Sequence, residues 1–297
     1  MDTLGSDPAL LPAFASRAKF ADELLDLNET IGQEKREDEA AKAQGKAAPE
    51  HPWHPDEASW TPAKLYNGMI APLTPLTLRG FLWYQGETNS APDRAPHYAA
   101  LMRGLIRDWR MHFEQGLLPF YYVQISSFYS PDENWGLVRE EQRRALDTTN
   151  TAMAVTLDIG DAHNVHPSDK QTVGKRLAAA ARALTYGEAI GFTGPAFRHA
   201  APELQPDGTA AIRIWFDHAR GLTLKGSQPD AFELAGADHK FSPADATIER
   251  DTVLVASKQV AHPVYVRYGY PGVISEYLYN ADGFPASTFT SEENPVH

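Results

Sequence analysis

Between Arg79 and Leu184 the chain alternates three times between a short apolar run and a longer stretch of helical spacing. Arg79 to Tyr84, Leu118 to Ile125 and Ala152 to Leu157 have the aromatic and aliphatic content of buried strands. Three periodic segments follow them in turn. They are His97 to Phe113, with Tyr98, Leu101, Leu105, Ile106 and Trp109 at helical spacing, then Trp135 to Leu146, then Gln171 to Leu184. This order predicts a parallel sheet covered on both faces and joined by right-handed crossovers. In such a sheet ligands bind outside the carboxyl ends of the strands.

Two polar loops fall at that edge. After the third strand come Asp158, Gly160, Asp161, Asn164 and His166, and Pro167 then opens an alanine-rich amphipathic segment in which Ser168 and Asp169 also favour a first helical turn. An imidazole preceded within eight residues by two carboxylates suits a hydrolase that carries a proton. After the first strand come Gln85, Gly86, Glu87, Thr88 and Asn89. Gly86 allows a substrate close to the backbone, the amides of Gln85 or Asn89 can donate to a developing oxyanion, and Glu87 can orient such a donor or accept from substrate. Acyl transfer also needs a nucleophile, and no serine sits in a glycine-flanked strand-to-helix turn. Ser6 follows Gly5 without a preceding strand, and Ser90, Ser126 and Ser127 read as ordinary loop serines.

Composition narrows the partners. A net charge of −12 and a pI near 5.3, without clustered Lys and Arg, argue against a nucleic-acid surface. No run of eighteen apolar residues is present to span a membrane. With no cysteine there are no disulfides or thiolate metal sites, and the compartment stays open. No basic region leads into a long apolar core at the amino end, so no secretion signal is visible.

A mixed lead-in over residues 1 to 16 precedes a helical pattern from Ala18 to about Ala47, whose second half, EKREDEAAKAQGK, reads as solvated. Residues 48 to 62 carry His51, Trp53, His54 and Trp60 among prolines. The prolines argue against a helical metal pair, and the tryptophans are expected to lie on the domain. After about Gly191 short alternating runs appear: Ala211 to Phe216, Ala231 to Leu234, Thr252 to Ala256 and Val264 to Tyr268. They predict an all-β accessory domain over 191–297, following a catalytic domain over 1–190.

The blocks LYNGMIAPLTPLTLRGFLWYQGETNS, LDIGDAHNVHPSDKQTVGKRLA and LYNADGFPASTF resemble, in order, the sialate O-acetylesterase family. This is a branch of the SGNH hydrolases that includes bacterial xyloglucan and xylan acetylesterases. The resemblance implies a flavodoxin-like α/β/α parallel sheet, incomplete at its amino end, followed by a small all-β domain. It implies a carbohydrate O-acetylesterase working through a serine acyl-enzyme, with no metal and no organic cofactor. His166 would be the general base, oriented by Asp161 or Asp158; in many SGNH enzymes the acid stands three residues before the histidine, where this chain has His163. Gln85, Gly86, Glu87 and Asn89 would help build the oxyanion hole, with a further glycine from the nucleophile block, and hold substrate. The nucleophile block, Gly-Gln-Ser-Asn in relatives, would come from a companion amino-terminal fragment. Relatives acting on glycans imply a periplasmic or extracellular setting. The rival expectation is a non-catalytic carbohydrate-binding protein using Trp215 or Tyr277.

Overall fold

The structure, a computed structural model, describes residues 17–52, 54 and 63–293. Ser6, Trp53 and Trp60 lie outside the described residues. The chain forms two compact units: one from Met1–Thr77 with Asp108–Glu114, the other from Leu78–Arg107 with Gln115–His297. In the first, helix α1 (Arg17–Ala43) carries the charged stretch, and His51 and His54 bond to its carboxylates, Nε2 to Asp38 at 3.0 Å and Nε2 to Glu34 at 2.8 Å. The Asp38 hydrogen bond raises the pKa of the His51 imidazole. No helix among the described residues is long and apolar enough to cross a membrane.

The second unit holds a parallel sheet of three short strands, β1 (Phe81–Trp83), β2 (Phe120–Val123) and β3 (Thr151–Ala154), with β2 in the middle. Helix α2 (Tyr98–Phe113) follows β1, α3 (Trp135–Arg144) follows β2, and α4 (Lys170–Ala180) follows β3. Alternation along β2 decides what each face meets. Tyr121 and Val123 pack with Ala152, Ala154, Val173, Leu177 and Ala180, so α4 covers one face. Tyr122 points the other way and donates its hydroxyl to the Gln142 carbonyl on α3, 2.8 Å away. All four residues of β2 are buried, as a strand covered on both faces should be. β1 is an edge, and Leu82 in its middle is 64% exposed.

The strands after this sheet are antiparallel: β4 (Ala196–Leu204), β5 (Ala210–Asp217), β6 (Thr223–Gly226), β7 (Phe232–Ala235), β8 (Ser242–Glu249), β9 (Thr252–Ala256), β10 (Tyr265–Tyr268), β11 (Glu276–Tyr279) and β12 (Phe289–Thr290). Seven of them form one sheet in the order β12, β10, β7, β8, β9, β5, β4, and β6 pairs with β11 as a separate two-stranded antiparallel sheet. Period-two patterning is plain in β5, where Ile212, Ile214 and Phe216 are buried. Arg213 and Trp215 alternate with them; His199 stacks on Trp215 with centroids 4.4 Å apart and planes 6° off parallel.

Glu203 on β4 accepts from Arg213 and from Gln205, and the Arg213 bond is the main cause that holds its pKa down to about 2. A carboxyl whose pKa is lower folded than unfolded stabilises above its unfolded value, and that contribution disappears as pH falls through the folded one. The stability of the intact protein should therefore drop between pH about 4.5 and about 2, and Glu203→Gln should flatten that limb. Unfolding midpoints across this window check it; an unchanged acid limb in the variant refutes it.

One buried side chain ties α3 to the antiparallel region. Arg139 is fully buried and donates to the carbonyls of Gly269 at 2.9 Å, Pro271 at 2.6 Å and Gly272 at 3.3 Å. Its Nε has no partner among the described residues, and burial pushes its pKa down to about 9. Gly136 lies one helical turn away, where a Cβ would come within 2.1 Å of the Tyr270 carbonyl oxygen. Only glycine lets α3 and this loop approach so closely.

Candidate active site

The carboxyl ends of β1, β2 and β3 release three loops along one rim, and the middle loop is hydrogen-bonded to each neighbour. Towards β3, Gln124 accepts at its carbonyl from Thr156 Oγ1 at 2.5 Å, Ser127 Oγ donates to the Leu157 carbonyl at 2.6 Å, and Tyr129 N donates to the Ala162 carbonyl at 3.1 Å. Gly160 fits against the Ser127 backbone, where a Cβ would lie 2.4 Å from both its nitrogen and its oxygen. Towards β1, Gln142 on α3 is the link. Its Oε1 accepts from Ile125 N at 2.9 Å, and its Nε2 lies 3.2 Å from the carbonyls of Val123 and Gln85. Tyr98 on α2 donates to the same Gln85 carbonyl at 2.7 Å. Across the sheet, Lys170 Nζ sits 4.7 Å from the centroid of the Tyr84 ring, joining the end of β1 to the start of α4.

In the 85–89 turn, Gln85 Nε2 donates to Asn89 Oδ1 at 2.7 Å. The amide of Gln85 is thus committed in part to its neighbour, while the amide hydrogens of Asn89 remain to donate. Gly86 is buried, and a Cβ there would meet Ile125 Cγ2 at 2.8 Å and Gln142 Nε2 at 2.9 Å. Gly86→Ala should therefore cost about 1–3 kcal/mol by overpacking, read as a lowered urea midpoint; no shift would show that the turn is softer than it looks. Glu87 is half-buried and opens a single 3-10 turn over Glu87–Ser90.

The β3 loop sorts its acids. Asp158 is paired two-on-two with Arg176 of α4, at 2.6 and 2.7 Å, and also accepts from the Tyr279 hydroxyl at 3.0 Å. Both its oxygens are taken, and none of its bonds goes to His166. Asp161 caps the His163 N–H at 2.7 Å, and Asn164 caps the His166 N–H at 2.9 Å. The His166 ring is exposed and makes no hydrogen bond or ion pair among the described residues. Helix α4 begins at Lys170, three residues after Pro167, because the Asp169 carboxylate accepts from Thr172 N at 3.0 Å and fixes the cap there. His166 sits on the loop ahead of that cap.

Of the rim serines, Ser90 Oγ donates to the Glu87 carbonyl at 2.6 Å, Ser127 Oγ is engaged with Leu157, and Ser126 is buried, its backbone carbonyl accepting from Trp135 Nε1 at 2.6 Å. No three His, Asp or Glu side chains among the described residues are placed to hold a metal ion. The two aromatics named for a sugar-binding module each have a neighbour. His199 covers a face of Trp215, and the half-buried Tyr277 donates to the Ile274 carbonyl at 2.7 Å. Sequence reasoning missed Tyr98, Gln142, Arg176 and Tyr279, which hold the two loops without lying in either. An arginine within an alanine-rich amphipathic helix was the one visible hint.

Residues 41–183 match the family model described as carbohydrate esterase, sialic acid-specific acetylesterase. The chain is 38% identical over 165 residues to a sialate O-acetylesterase of Rattus norvegicus, a stretch covering 48% of this chain and 30% of that protein. A sialate O-acetylesterase of Homo sapiens is 39% identical over 152 residues, covering 44% of this chain and 29% of that protein. The structure is similar, at a TM-score of 0.71 and 38% identity, to the crystal structure of a carbohydrate acetylesterase from Xanthomonas citri, covering 77% of this chain and 54% of the other. The chain thus spans about a third or less of the length of these sialate O-acetylesterases and about half that of the bacterial enzyme. Its segment 41–183 is thus similar to carbohydrate esterases described as sialic acid-specific acetylesterases.

Proposed function

We propose that this chain supplies the histidine and amide side of an active site that hydrolyses acetyl esters on sugar hydroxyls, on a flavodoxin-like SGNH sheet. The observation that carries the reading is the exposed His166, its ring unpartnered among the described residues, on a rim whose middle loop bonds to its own loop and is joined to the Gln85 carbonyl through Gln142 of α3. In this mechanism His166 takes the proton from a serine hydroxyl as that oxygen attacks the acetyl carbonyl, and then gives it to the departing sugar oxygen. Asn89, held by Gln85, donates to the oxyanion. Gly86 lets the turn sit against Ile125 and Gln142, and Glu87 accepts from a substrate hydroxyl.

Asp158 serves the Arg176 pair, so Asp161 is the acid of this loop left to orient His166 once substrate closes the site. The serine comes from a companion segment outside these residues. The engaged hydroxyls of Ser90 and Ser127 and the edge position of β1, with Leu82 exposed, support that reading. The test is acetate release from acetylated xyloglucan, xylan and O-acetylated sialic acid. It is run with the chain alone and co-produced with the part of the Xanthomonas citri relative that this chain does not match. Release on co-production is expected; none in either arrangement, with all three substrates, rejects the proposal.

A further inference from the structure

A cavity of about 430 Å³ opens beside the rim, and its lining includes Pro92, Tyr129, Asn134, Trp135, Arg267 and Tyr270. Its walls are fastened to both loops of the candidate site. Asn134 N donates to the Ser90 carbonyl at 2.7 Å, next to Asn89, and Tyr129 N donates to Ala162, between Asp161 and His163. The far wall belongs to the antiparallel region, where Phe128 N donates to the Gly272 carbonyl at 3.0 Å.

The side chains there are those that a sugar ring needs. Tyr129 is 64% exposed, and neither its ring nor its hydroxyl has a partner among the described residues. The Asn134 side-chain amide is likewise uncommitted among the described residues. Arg267 gives Nε and one Nη to Glu233 at 2.8 and 3.0 Å and lies against the rings of Phe241 and Tyr270, with centroids at 4.0 and 4.5 Å, which leaves its other Nη to donate. The Tyr270 hydroxyl is buried without a partner among the described residues. An open aromatic face flanked by uncommitted amide and guanidinium donors in a concavity matches a carbohydrate, whose CH faces stack while its hydroxyls bond at the edges.

Charge narrows the class. Arg267 is neutralised by Glu233, and Glu133 at the wall accepts from Ser130 Oγ at 2.6 Å, so no surplus cation awaits an acidic sugar. We infer that this cavity is a subsite for a neutral sugar residue adjoining the acetylated one, with Tyr129 as its stacking platform. The substrate is then an acetylated neutral oligo- or polysaccharide. The inference rests on the esterase reading for its purpose but not for its binding chemistry.

The experiment titrates the full chain with unacetylated neutral oligosaccharides, xylo- and gluco-oligosaccharides, and with a sialylated one, following binding by NMR. Millimolar or tighter binding of a neutral oligosaccharide is expected. Tyr129→Ala should weaken it roughly tenfold, and Tyr129→Phe, which keeps the stacking ring, should retain it. In the acetate-releasing protein, Tyr129→Ala should lower kcat/KM about tenfold further for an acetylated oligosaccharide than for a small acetyl ester. No neutral-sugar binding, binding indifferent to Tyr129, or preference for the sialylated compound overturns the inference. Tyr129-dependent binding without acetate release would instead reject the esterase reading and leave the subsite standing.

Discussion

His166→Ala should lower acetate release on the order of 10³-fold or more while leaving the unfolding midpoint in place. The two halves of this expectation have separate causes. The ring is exposed and makes no hydrogen bond among the described residues, so its removal leaves no cavity and no orphaned group. The loop is held by backbone features that alanine keeps, above all the His166 N–H cap by Asn164. Without the imidazole, neither the attacking hydroxyl nor the leaving sugar oxygen has a proton carrier. Steady-state acetate release beside a urea titration measures both halves. Turnover within a few-fold of the parent would remove His166 from the chemistry, and a collapsed midpoint would give it a structural role instead.

Asp158→Ala and Arg176→Ala should act in the opposite sense, each costing about 3–5 kcal/mol of stability. Their side chains are nearly buried, and losing either partner strands the other's charge away from water. Arg176 also donates to the Val155 carbonyl at 2.6 Å, so its loss opens the exit of β3 itself. Because the two share one interaction, the double variant should cost clearly less than the sum of the singles. Urea unfolding of the three variants decides the matter. Additive losses would dissolve the pair, and an Asp158→Ala variant of normal stability but very low turnover would return Asp158 to the role of triad acid.

The parallel sheet was legible because its middle strand is buried on both faces and reads as an unbroken apolar run, Phe120 to Val123, and its neighbours are short apolar runs as well. The two rim loops were legible because polar residues interrupt such runs abruptly, at Gln85 and at Asp158. The division of labour between the carboxylates was not. Asp158 and Asp161 look alike in sequence, and only the fold brings Arg176, eighteen residues on, and Tyr279, more than a hundred residues on, to the first of them. The cap on α4 was hidden for a related reason. Pro167 and Asp169 both suit a helix start, and the deciding contact is the reach of one carboxylate to Thr172 N. The open cavity beside Tyr129 had no signature either, since its walls come from segments that meet only in three dimensions.

The buried guanidinium of Arg139 has a consequence for how the molecule comes into being. Its acceptors at Gly269, Pro271 and Gly272 leave the ribosome some 130 residues after it does. Until then α3 must either keep that cation in water or hold it against an apolar neighbourhood at a cost of several kcal/mol. The helix that grips Gln85 through Gln142 can therefore settle only when the carboxyl-terminal third arrives. The rim would then take its shape late and all at once, and a nascent chain stalled before residue 269 would present it unformed.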